Sequence, residues 1–103
     1  MQDPAGGPIE EHRLDPGIAG AVLILRQFGI ETYESCQGGE GHCYLQPTVA
    51  FHGGHSEGFR ALAVAIQHAL PVEVLRRIWT VIDGEPTGPN WELVFHKPVP
   101  VRE

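Results

Sequence analysis

The chain has 103 residues, 42% of them apolar, which is enough for one domain with a modest core. No apolar run approaches the ~20 residues of a membrane-spanning helix, and the first residues carry no export-type leader, so a cytoplasmic, thiol-preserving location is expected. A net charge of −6 with only seven basic residues argues against a partner such as duplex nucleic acid, which needs clustered Lys and Arg.

Residues 1–12 are polar and rich in Pro and Gly, and read as a flexible tail. A single α+β domain is expected over 13–97, with a C-terminal tail over 98–103. Asp15-Pro16 resembles a helix start, with a carboxylate cap and proline at the first helical position. Ile18, Val22, Leu25 and Phe28 then recur at helical spacing, and Gly29 ends the helix. A first strand is expected from Ile30 to Cys36, and a second from Tyr44 to His52. Leu45, Pro47, Val49 and Phe51 fall on one side of the second, and Pro47 needs a gap in the pairing. Gly53-Gly54 break the strand, and Ser56 is a plausible cap for a second helix. Phe59, Leu62, Ala63, Ile66, Ala69 and Leu70 predict its apolar stripe, which Pro71 closes. A third strand covers Val72–Ile82. The run Asp83–Pro89 reads as a turn region, and a fourth strand from Asn90 to His96 alternates Trp91, Leu93 and Phe95.

The order α-β-β-α-β-β reads as one unit used twice, each half ending in Phe-His. It predicts a permuted ferredoxin-like fold, a four-stranded antiparallel sheet with two helices on one face. The second and fourth strands would be central. The helix-free face is then expected to be open, which makes a homodimer through it an expectation. Arg76-Arg77 read as a solvated edge.

Two loops carry the chemistry-bearing residues. The first contains both cysteines: Cys36, Gly38, Gly39, Gly41, His42 and Cys43. If the fourth strand pairs with the second, His96, Lys97 and the start of the first helix near Asp15 reach the same end. Cys36, His42, Cys43 and His96 would together satisfy tetrahedral zinc. The alternatives are a thiol nucleophile with its pKa lowered by His42 or Lys97, and a plain pair of cysteines closing a hairpin. The second loop is His52, Gly53, Gly54, His55 and Ser56, with Arg60 one turn into the helix. Glycines leading into a helix N-terminus suit a small anion or nucleotide, although a simple strand-to-helix turn has the same composition. The length of the second strand sets the two loops roughly 25–30 Å apart, so they should not share one metal.

The segment Gly29-Ile30-Glu31-Thr32-Tyr33-Glu34-Ser35-Cys36-Gln37-Gly38, following an apolar helix, resembles small uncharacterised bacterial and phage proteins. They share a Gly-Ile-x-Thr-x-x-Ser-Cys-x-Gly pattern. Leu75–Trp79 and Gly88–Glu92 look similar to the same group. The resemblance implies a small α+β domain, of phage or prophage origin, with no established activity. A fainter resemblance links Ser35-Cys36-Gln37-Gly38 to a turn of wybutosine-tRNA methyltransferases, but Gly39 stands where those carry a basic residue. Three function classes follow: a non-enzymatic binding or regulatory domain for a small anionic ligand, a metal- or thiol-dependent enzyme centred on Cys36, His42 and Cys43, and an interaction module using the sheet face.

Overall fold

The computed structural model describes residues 14–101, so the tail assigned to 1–12 lies outside the described residues. The elements are α1 (Ala19–Gln27), β1 (Thr32–Cys36), β2 (Thr48–Phe51), α2 (His55–Gln67), β3 (Val72–Ile82) and β4 (Glu85–Phe95). The strands form one antiparallel sheet in the order β1-β2-β4-β3, the expected α+β arrangement with β2 and β4 at the centre. Among the described residues, no helix is long and apolar enough to cross a membrane.

Side-chain alternation builds the core. Val49 and Phe51 of β2 and Trp91, Leu93 and Phe95 of β4 meet Ile18, Ala21, Val22 and Leu25 from the α1 region, with Ala61, Val64 and Ala65 from α2. The buried stripe of α2 differs from the one its large side chains predict. Gly58, Ala61, Val64 and Ala65 face the sheet, while Phe59 and Ile66 are exposed. The cause is Trp91. A Cβ at position 58 would lie in its indole ring, so α2 presents its small residues there and comes close to the strand.

Both helices end in the same way. The N–H of Ile30 donates to Leu25 O at 3.0 Å and that of Gly29 to Arg26 O, with Gly29 in the left-handed region at φ 85°. In α2, Leu70 donates to Ala65 O at 2.9 Å and Ala69 to Ile66 O, but the left-handed residue is Ala69 at φ 58°. Arg60 ties the two helices together by donating to Phe28 O and Gly29 O at the end of α1.

Several boundaries move. The first helix begins at Ala19 rather than beside Pro16, because Asp15 O accepts from both Ile18 and Ala19 and forms a preceding turn. The N-cap of α2 is Gly54, with no side-chain cap, so Ser56 lies inside the helix instead. β2 is only four residues long, and Leu45 is almost fully solvent-exposed. The turn expected over Asp83–Pro89 is just Asp83-Gly84, whose φ values of 52° and 79° match a two-residue hairpin that twists with its strands. Pro86, Gly88 and Pro89 therefore lie within β4. The C-terminal segment is docked rather than a tail as far as it is described: Val99 is buried, accepts from Gly20 and donates to Gly17.

The helix-free face is not bare at its centre. Thr48, Ala50 and Val94 are buried there, and Glu92 nearly so. The loop between β1 and β2 folds back over this face. Its Tyr44 hydroxyl reaches Glu34 and Glu92, and Gln46 Nε2 donates to Glu73 Oε1 at 2.5 Å. Arg76 closes the group by donating from Nε to Glu92 Oε1 at 3.0 Å.

Candidate metal centre

The end of β1 is laced to the start of α1 by one side chain. Gln37 Oε1 accepts from Gly17 N–H at 2.8 Å, while its own N–H donates to Asp15 Oδ2 at 3.1 Å. This draws the half-buried Asp15 carboxylate beside Cys36, the last residue of β1, whose thiol is buried. Gly38 then donates its N–H to Cys36 Sγ at 3.5 Å. Gly38 has φ 83°, and a Cβ there would strike the Gln46–Pro47 backbone, so the loop needs glycine to leave the strand this closely. Gly39 N–H donates to Leu45 O, and His42 N–H donates back to Gly39 O at 3.1 Å. That turn carries His42 over Asp15, with Nδ1 to Oδ2 at 3.9 Å.

One donor atom from each of Asp15, Cys36 and His42 lies within 4.8 Å of the others. Cys36 and His42 are thus brought together as the sequence suggests, but Cys43 and His96 are not part of the group. Cys43 points to solvent, and both cysteines are unpaired thiols rather than a disulfide. His96 is exposed, and its N–H donates to Pro71 O, pairing the chain after β4 with the start of β3. The third donor, Asp15, was legible only as a helix cap; the clue was that the start of the first helix returns to the end carrying Cys36.

The second loop is scattered among other tasks. His52 stacks on Tyr33 at 4.2 Å and contacts Asn90 Oδ1 at 3.1 Å on the helix-free side. Trp91 Nε1 donates to the carbonyls of Gly53 and Gly54, fixing the turn to the core. His55 Nε2 accepts from Arg77 at 2.9 Å, and that guanidinium lies 5.0 Å above the Trp91 ring. Ser56 is exposed. Arg60 is turned away toward α1 and Glu57, because the unpaired carbonyls at a helix C-terminus attract a cation. Glu57 itself supplies negative charge to the first turn of α2. The two loops are nearer than expected, since four residues of β2 span only ~13 Å.

The tyrosines on the helix-free face sit in a negative surrounding. Burial first, then the Glu34 and Glu92 carboxylates, push the Tyr44 phenol well above its usual range, and the same causes raise Tyr33. Compared with known families, characterised proteins and solved structures, the chain matches none significantly.

Proposed function

We propose that this chain is a metal-binding domain. In this reading Asp15, Cys36 and His42 hold a zinc-class ion and leave its fourth position to a small anionic ligand. The observation that carries the reading is the convergence of a thiol, an imidazole and a carboxylate within 4.8 Å. Sulfur and nitrogen donors select zinc-like ions over magnesium or calcium. Bond lengths of 2.0–2.3 Å imply ligand separations of about 3.3–3.8 Å in a tetrahedral site. The Asp15–His42 separation of 3.9 Å is already close to that. The remaining contraction falls to His42, which is exposed on a loop flanked by glycines.

Supporting contacts are of the kind that metal sites use. Gln37 N–H orients the Asp15 carboxylate, and Gly38 N–H is directed at the Cys36 sulfur. Three protein ligands leave one position for water or an anion. A reducing compartment such as the cytoplasm keeps Cys36 available as a ligand.

Zinc competition titration on the purified chain, with cobalt substitution as the spectroscopic readout, tests the reading. One equivalent should bind with proton release and give a thiolate-to-cobalt charge-transfer band. Cys36→Ser, His42→Ala and Asp15→Asn should each weaken binding at least ~10-fold, whereas Cys43→Ser and His96→Ala should not. Azide should perturb the cobalt spectrum through the fourth position. Lack of stoichiometric uptake, or equal losses from the Cys43 and His96 variants, would overturn the assignment.

A further inference from the structure

β3 and β4 run past the sheet body. β2 pairs with β4 only from Trp91 onward, so Ile78–Ile82 and Glu85–Asn90 form a two-stranded arm. The two edges of this arm are built differently. On the β4 side, Pro86, Gly88 and Pro89 prevent a further ladder. On the β3 side, Ile78-Trp79-Thr80-Val81-Ile82 contains no charge, no proline and no glycine. Trp79, Val81 and Ile82 are 57%, 66% and 56% exposed. Soluble proteins blunt such an edge unless something covers it.

We infer that a second copy of this chain covers it, by antiparallel pairing of β3 with β3 about a two-fold axis at Thr80. The hairpin fixes which groups are available. Ile82 pairs with Glu85 and Thr80 with Thr87 next to a two-residue turn, so their main-chain groups face β4. Trp79 and Val81 therefore direct theirs outward. An axis at Thr80 places Trp79 opposite Val81 of the partner subunit, and Ile78 opposite Ile82 of the partner subunit. It also brings Asp83 of the partner subunit, in the turn just past β3, to the level of Arg77, so the charges flanking the strip are of opposite sign. An axis at Arg76 would instead oppose that guanidinium to its own copy. The Thr80 register joins the apolar strip without like-charge contact.

The strip is short. An aromatic side chain buries about 150–250 Å² at most, and the rest is aliphatic, so the interface falls below about 1,200 Å² in total. The dimer is therefore expected to be reversible, with a dissociation constant on the order of 10 µM. The inference is independent of the metal assignment, since the arm carries none of its ligands.

Sedimentation velocity on the whole chain in a Cys43→Ser background tests it. The sedimentation coefficient should rise from monomer to dimer between about 1 and 300 µM, a range centred on that affinity. Val81→Lys, an exposed change that leaves the core intact, should raise the dissociation constant at least ~10-fold by charging the edge. Thr80→Cys should form a disulfide-linked dimer on mild oxidation, because cross-strand neighbours on the axis lie within bonding reach. A monomer throughout the range, unchanged association in Val81→Lys, or a Thr80→Cys chain that stays monomeric would each overturn the inference.

Discussion

Ala69→Gly should stabilise the protein. Ala69 sits at φ 58° just past the end of α2, where its N–H closes the terminal turn onto Ile66 O. A non-glycine residue in the left-handed region costs roughly 1–2 kcal/mol, from crowding between Cβ and the following carbonyl. The side chain is exposed, so its removal forfeits little packing. Against this relief stands the extra freedom of glycine in the unfolded chain, about 0.4–1 kcal/mol. The difference is a gain of about 0.5–1 kcal/mol, and at 4–8 °C per kcal/mol that raises Tm by roughly 2–8 °C. The complementary change is Gly29→Ala at the end of α1. Its φ is 85°, and an added Cβ meets only the end of Arg60 at ordinary contact distance. It should destabilise by about 0.5–1 kcal/mol, the same strain less the advantage of alanine's smaller freedom in the unfolded chain. Urea unfolding of both variants, with unchanged m-values, is the assay. Destabilisation by Ala69→Gly, or a neutral Gly29→Ala, would refute the account of the helix ends.

Gly58→Ala should lower stability by about 1–3 kcal/mol, because the new methyl enters the Trp91 indole and forces the helix off the sheet; urea midpoints and Trp91 fluorescence both report it. The raised Tyr44 phenol gives a signed pH dependence. The fold favours its neutral form, so its contribution is complete below the ordinary value of 10.0 and fades as pH rises above it. Tyr44→Phe should therefore flatten the fall in stability above pH 10, leaving the smaller slope from Tyr33. Parallel wild-type and variant curves across that window would contradict the contact of Tyr44 with Glu34 and Glu92.

The element order and strand neighbours were readable because each rests on local signals that the tertiary structure did not oppose. Val72–Ile82 is rich in β-branched residues, and Trp91, Leu93 and Phe95 alternate cleanly. What was not readable came from packing partners distant in sequence. The largest residues of α2 predict a face through Phe59 and Ile66, yet a tryptophan on β4, 33 positions after Gly58, turns the small residues inward. The prolines after Gly84 look like a broad turn, but an edge that pairs with β3 alone tolerates them. At the candidate site, Cys36 and His42 were marked by residue type. Asp15 was disguised as a cap, and only Gln37, bonded to both Gly17 and Asp15, brings it to the thiol.

The same loop serves two structural ends, and that links the candidate site to the sheet. Residues between β1 and β2 carry His42 toward Asp15 and Cys36, then lay Tyr44 and Gln46 on the helix-free face against Glu34, Glu92 and Glu73. A metal holding His42 would restrict the loop at one point and the tyrosine at another, only two residues away. Each restraint lowers the entropy cost of the other. Tyr44→Phe should then weaken zinc binding although it removes no ligand, while Leu45→Ala, at a solvent-exposed position of the same loop, should leave the affinity unchanged. Equal zinc affinity in wild type and Tyr44→Phe would mean that the loop is set by its glycine turns alone, and that the cover over the sheet and the metal ligands act separately.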